Sequence, residues 1–157
     1  MEYYFTIKMI HILAAVVVAG TGTGIAFFMF MANRSNNIQA IAVTTKHVVL
    51  ADWIFTFPAV VIQFITGMML VYILNYSYTS AWFLAVISLF IFIGACWLPV
   101  IYLQYRLKRF ADQAIDEGVL SDSFKKTMKL WTILGIPAFA SVLVIFWLMI
   151  FKPLSVI

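Results

Sequence analysis

The sequence predicts an all-α integral membrane protein: a bundle of four transmembrane helices with both termini on the outer, periplasmic side. Of its 157 residues, 65% are hydrophobic and 10% are charged, and the mean hydropathy is +1.06, far above the balance of a water-soluble protein. Four apolar runs are long enough to cross a bilayer, whose hydrocarbon core of about 30 Å takes about 20 helical residues. Their continuity excludes the alternating pattern of a β-barrel.

The predicted helices cover about 5–32, 48–74, 82–104 and 130–151, within one transmembrane domain over residues 1–157. The first run is too long for a signal peptide, lacks a basic leader and continues without a processing break, so we expect it to remain as a helix.

The loop between the third and fourth helices, residues 105–129, is itself predicted to be helical. Lys108 and Asp112 have the spacing of a pair one helical turn apart. Gly118 is the expected end of the third helix and Ser121 the expected N-cap of the fourth.

The basic residues predict the orientation. Eight of the ten lysines and arginines lie in the connections between helices 1 and 2 and between helices 3 and 4: Arg34, Lys46, Arg106, Lys108, Arg109, Lys125, Lys126 and Lys129. The positive-inside rule makes that side cytoplasmic, and we expect a multi-pass protein of the bacterial inner membrane. The net charge of +4 then reflects membrane-flanking cations, not nucleic-acid binding.

Helix 1 carries an intramembrane histidine, His11, above a face of small residues that includes Gly22. Small residues allow close helix packing in lipid. A flat face below an imidazole would equally suit a planar tetrapyrrole, haem b or a related group, with His11 as the ligand of its iron. Lys8 would then pair with a propionate, or would simply extend to the headgroups.

A second ligand to such a haem must lie at the level of His11. His47 opens helix 2 on the opposite side, roughly 20–30 Å away, which excludes a bis-histidine clamp. Met69 of helix 2 lies at a suitable level, as do Met68 and Met149, although methionine is commonly a core filler. Trp97 completes the candidate cofactor-binding residues.

Helix 2 has a polar stripe formed by Thr45, Asp52, Thr56, Gln63 and Thr66. These side chains project within about 60° of one direction and should face the bundle interior or a wet cavity. Asp52, with Thr56 and Gln63, is the candidate for catalytic proton transfer. The competing interpretation is structural: Asp52 accepts hydrogen bonds from threonine or tryptophan, or pairs with a loop cation.

Three prolines, Pro58, Pro99 and Pro137, fall in the cytoplasmic halves of their helices, where each removes a backbone donor. Loosened helices at one level predict an inward-facing cavity, although kinks without a ligand site are also common. Its predicted lining residues are Thr21, Thr23, Asp52, Thr56, Trp97 and Gln104. Motifs for phosphate, dinucleotide or zinc binding are not found in the sequence.

Four patterns carry a family resemblance: "KxxH" from Lys8, "TxHVVLADWxFTxPAVxxQxxTG" from Thr45, "ACWLPVxxLQ" from Ala95 and "GIPAFxxVLxIFWLMxxKP" from Gly135. Together the chain resembles the bacterial membrane family catalogued as domain of unknown function 2269, which implies four membrane helices and no established activity. The opening "KMIHILAAVVVAG" is also similar to the small membrane protoporphyrinogen oxidases and copper-resistance membrane proteins. That second resemblance implies importance for His11 and an association with haem, but the oxidases' later lysine has no match here.

These observations predict a haem- or porphyrin-handling protein for electron or proton transfer, with a possible membrane oxidoreductase activity of the protoporphyrinogen-oxidase type. The alternative is a non-enzymatic accessory or assembly subunit, or a small transporter, of a membrane complex. The expected partners are the lipid bilayer and either further copies of the chain or a larger membrane complex.

Overall fold

The computed structural model describes residues 2–152, apart from the side chain of Glu2, and every regular element in that range is helical. In chain order these are α1 (Glu2–Ser35), α2 (Ile38–Ala51), a π-helical turn called here the π segment (Asp52–Thr56), α3 (Phe57–Ile73), α4 (Ala81–Glu117) and α5 (Asp122–Phe151). Because α2, the π segment and α3 run on as one helix, four helices are long and apolar enough to cross a membrane. The predicted all-α membrane bundle is confirmed.

The second helix begins at Ile38, well before the predicted start at Val48. Asn37 caps it, since its side-chain oxygen accepts a hydrogen bond from the Ala40 N–H at 3.1 Å. The apolar run located only the part suited to lipid, whereas a helix starts where its free N–H groups find an acceptor.

The helical connection between the third and fourth spans is confirmed. Gly118 ends α4 in the left-handed conformation, with φ of 72°, which glycine adopts without steric strain. Ser121 caps α5 by accepting from the Phe124 N–H at 3.2 Å. The Lys108 and Asp112 side chains lie 3.9 Å apart, as their spacing predicts.

The bundle has two unlike ends. We call the end with the α1–α2 and α4–α5 turns the basic end, and the opposite end the terminal end. At 1.5 Å per residue the 37 residues of α4 span about 55 Å, against about 30 Å of hydrocarbon. Counting about 20 residues from Trp82 reaches Tyr102, so the basic end projects beyond the lipid.

The main hydrophobic core lies towards this projecting end. Its buried side chains come from α1, α2, α4 and α5: Met29, Ala32, Ile41, Ala42, Val48, Val100, Leu103, Leu107, Ala111, Phe124, Met128 and Trp131. Burial of apolar surface stabilises packing only where the alternative is water. The projecting end therefore holds the four helices together.

Within the membrane, α1 packs mainly on α3 and α4 on α5, while α1 meets α5 at few positions. The π segment contacts α1, α2 and α3, and the two pairs are joined mainly through contacts between α2 and α4. The wide turn of the π segment, in which the Phe57 N–H bonds to the Asp52 carbonyl, directly precedes Pro58, which has no N–H of its own. Pro99 and Pro137, in contrast, lie inside continuous helices.

Candidate functional site

The polar stripe of the second helix faces the bundle interior, as predicted. Thr45, Asp52, Thr56 and Thr66 are buried and Gln63 is partly buried. The stripe divides into two groups with different surroundings. One lies around His11 in the terminal half of the bundle, and the other lies around Asp52 at the π segment.

His11 joins α1 to α3 through both nitrogens of its ring. Nδ1 lies 2.9 Å from the Thr66 hydroxyl oxygen, and Nε2 lies 2.9 Å from the amide nitrogen of Gln63. Gly67 makes room for the ring: a Cβ at this position would lie 3.2 Å from His11 Cε1. Residues 63, 66 and 67 are one helical turn apart and share one face of α3, so the site is built from a single turn.

The hydrogen bonds assign the tautomer of His11. Thr66 donates its only hydroxyl proton to the Ile62 carbonyl at 2.6 Å, so its oxygen must accept from the His11 Nδ1–H. Nε2 then carries the lone pair that accepts from the Gln63 amide. The imidazole is neutral with both nitrogens engaged, while Gln63 Oε1 has no partner among the described residues.

A tetrapyrrole does not fit this arrangement of His11. Neither nitrogen is free for iron unless Gln63 or Thr66 moves, and Gly67 lies against the ring. Met69 is 42% exposed and lies about 160° around α3 from Gly67. Haem ligation by His11 and Met69 stays a prediction, and an absorption spectrum of purified protein tests it.

The other candidate cofactor residues lie apart from His11. Lys8 is exposed and its ammonium stands 5.6 Å from the ring centroid of Tyr4, one turn earlier. Gly22 faces α5, since a Cβ there would meet Phe139 at 4.0 Å. Trp97 belongs to the group around Asp52.

Asp52 is 5% exposed and its carboxyl group faces Thr56, Trp97 and Gln104. Three atoms there nevertheless make no hydrogen bond of good geometry with the described residues: Asp52 Oδ2, Thr56 Oγ1 and Trp97 Nε1. Beside them is a cavity of about 10 Å³ lined by Val49, Asp52, Trp53, Phe57, Trp97, Ile101, Gln104 and Tyr105. A space of this size with several polar partners suits a single water molecule.

The predicted cavity was correct at Asp52, Trp97 and Gln104 but wrong in its extent. Thr21 and Thr23 do not line it, and Thr23 is exposed with its hydroxyl bonded to the Ala19 carbonyl at 2.7 Å. Pro99 and Pro137 lie inside continuous helices, so they do not interrupt α4 or α5. Thr56 faces the carboxyl group but is not part of the cavity wall.

The sequence did not predict that Trp53 and Tyr105 line this cavity. The Trp53 indole N–H donates to the Tyr105 hydroxyl at 2.8 Å, linking the π segment to α4. A tryptophan next to the buried aspartate and a tyrosine next to Gln104 were the available signal.

Among residues 2–152, no group of three or more histidine, cysteine, aspartate or glutamate side chains could hold a metal ion.

The contact between Gly67 and His11 predicts an unusual effect of alanine. Alanine in place of glycine normally stabilises a helix by about 1 kcal/mol. We expect Gly67→Ala to lower the melting temperature in detergent, because its Cβ presses on the imidazole. Gly94→Ala, where a Cβ meets nothing within 4 Å, should keep or raise it. Equal shifts for the two variants would contradict the contact.

Comparison with known proteins gives one match. The model of a family described as "Predicted integral membrane protein (DUF2269)" matches residues 5–153, of which Pro153 lies outside the described residues. No curated protein and no solved structure matches the chain, so the resemblance to protoporphyrinogen oxidases and copper-resistance proteins stays a prediction. With nearly its whole length matched, the chain belongs to the membrane-protein family known as domain of unknown function 2269.

Proposed function

We propose that this protein transfers protons within the membrane, with Asp52 taking them up at the basic end and His11 carrying them in the terminal half. The observation that carries the proposal is the Asp52 carboxyl group, which is buried in a spanning helix with one oxygen unpaired beside a water-sized cavity. Ionisable residues within transmembrane helices are candidates for function, and proton relay is one of their established roles.

Asp52 has no cationic partner in the part of the chain that the structure describes. The ion pairs there, Lys108–Asp112 and Lys125–Asp122, are on the surface. The groups facing Asp52 are the neutral donors Thr56, Trp97 and Gln104. A water molecule in the cavity would link these donors to Oδ2 and give the carboxyl group a route for exchanging its proton.

His11 can pass a proton from one nitrogen to the other. A proton added at Nε2 needs an acceptor where the Gln63 NH₂ group now donates. Rotation of the Gln63 amide brings its unpartnered Oε1 to that position. Loss of the Nδ1 proton to a water molecule that enters beside Thr66 then completes the transfer, because the Thr66 hydroxyl proton is already held by the Ile62 carbonyl. Gln63 and Thr66 position the imidazole.

The two groups are separated by an apolar step. Gln63 lies seven positions after Thr56, about 10 Å along the helix, and the buried Ala59 lies between them. Protons cannot pass continuously along the stripe in this arrangement, so transfer needs water to enter between α1 and α3. This gap would make the rate of proton transfer depend on the entry of water, and proton movement by these residues does not depend on a haem at His11.

Proteoliposomes test the proposal. With a K⁺ gradient, valinomycin and an internal pH dye, we expect the wild-type protein to acidify the lumen faster than empty vesicles do. His11→Gln should abolish most of this rate, because it removes the group that exchanges protons. His47→Gln is the matched control, since His47 is exposed on α2. Wild-type vesicles no faster than empty ones would overturn the proposal and favour the accessory-subunit alternative.

A further inference from the structure

The basic end carries a second polar feature on α4, which shares Tyr105 with the cavity beside Asp52. A shallow cavity of about 410 Å³ on α4 is lined by Tyr102, Tyr105, Arg106, Lys108, Arg109 and Asp112. We propose that this cavity, called here the α4 cleft, binds the phosphate headgroup of an anionic glycerophospholipid.

The arginines of the α4 cleft are positioned by aromatic rings. The Arg106 guanidinium lies 6.0 Å from the ring centroid of Tyr102 and 5.4 Å from that of Phe110, and the Arg109 guanidinium lies 5.5 Å from the Phe110 centroid. Rings hold the planar guanidinium groups without using their N–H donors. The donors stay available for oxygen ligands.

The charge of the cleft is unbalanced. Asp112 pairs with Lys108 at 3.9 Å, and neither arginine takes part in an ion pair among residues 2–152. Two guanidinium groups one turn apart, on residues i and i+3, can therefore act together on one anion. Arginine binds phosphate through two parallel N–H bonds, which gives this pair its chemical preference.

The depth of the cleft favours a lipid as the source of the phosphate. Tyr102 lies about 20 residues along α4 from Trp82, which places the arginines just beyond the hydrocarbon boundary. From there an apolar stripe runs back into the membrane through Tyr102, Leu98, Ala95 and Ile91, all exposed. These residues project within about 60° of the Arg109 direction, so one lipid can place its headgroup in the cleft and an acyl chain along the stripe.

Native mass spectrometry of the full chain in detergent tests the α4 cleft. We expect phosphatidylglycerol to bind in preference to phosphatidylcholine, and the double variant Arg106→Gln/Arg109→Gln to bind it roughly tenfold more weakly. Lys126→Gln/Lys129→Gln, which removes the same charge from exposed sites on α5, is the matched control and should bind as the wild type does. Inorganic phosphate at equal concentration should not displace the lipid.

Three results would overturn the proposal: equal binding of the two lipids, equal loss in both double variants, or displacement of the lipid by inorganic phosphate. The last result would assign the cleft to a free anion. If the glutamine variant fails to fold, Arg106→Lys/Arg109→Lys replaces it. That variant keeps the charge but loses the paired N–H donors, so weaker phosphatidylglycerol binding would support the site and unchanged binding would refute it.

Discussion

Asp52→Asn is expected to lower proton uptake into proteoliposomes by about a hundredfold, the usual contribution of a positioned proton carrier. The amide matches the carboxyl group in size and can still face Trp97 and Gln104, but it cannot take up and release a proton. The dependence of the rate on external pH should differ between the wild type and the variant, because the variant lacks the carboxyl group that titrates at position 52. The dye assay with K⁺ and valinomycin measures both.

Asp112→Asn provides the control for a lost carboxylate. Asp112 lies on the surface of α4 and pairs only with Lys108, so its variant should transport protons as the wild type does. A thermal melt of Asp52→Asn close to that of the wild type would exclude unfolding as the cause. Equal rates for Asp52→Asn and the wild type at every pH would remove Asp52 from the route.

Phe124→Ala is expected to cause the largest loss of stability, about 3–5 kcal/mol. The Phe124 ring has 0% exposure and lies in the core of the basic end with Leu107, Ala111 and Met128. Its removal leaves a void that these neighbours cannot fill, in the region that holds the four helices together. A fall in the midpoint of thermal unfolding in mild detergent, followed by circular dichroism, measures the effect.

Phe30→Ala is the matched control, because that ring is 55% exposed on α1 and contacts lipid or detergent. It should change the midpoint only slightly. If the two variants have the same midpoint of thermal unfolding, then the buried core of the basic end does not determine stability. Packing within the membrane half must then determine it.

Local physical chemistry accounts for most of what the sequence predicted correctly. Apolar length identified the spans, and the capping chemistry of Gly118 and Ser121 located the ends of α4 and α5. The start of α2 was missed because Asn37 lies outside the apolar run, although its capping chemistry is equally local. The period of the helix was enough to show that Asp52 and Thr66 face inwards.

The helix faces that contact each other could not be predicted from the sequence in the same way. His11 and Gln63 were placed in separate predictions, a cofactor site and a polar stripe, because a single helix period does not say which faces meet. The spacing of Gln63, Thr66 and Gly67 was the missed signal. Two hydrogen-bonding side chains and a glycine lie within one helical turn, and together they can hold an imidazole ring. The wide cavity was overpredicted because a proline weakens a helix locally without separating it from its neighbours.

The projecting basic end determines how the protein meets bilayers of different thickness. Since the main hydrophobic core lies towards the projecting end, we expect thinning or thickening of the membrane to change the tilt of the embedded segments more than the packing of this core. The helices of such a protein can stay associated in membranes whose lipid composition varies.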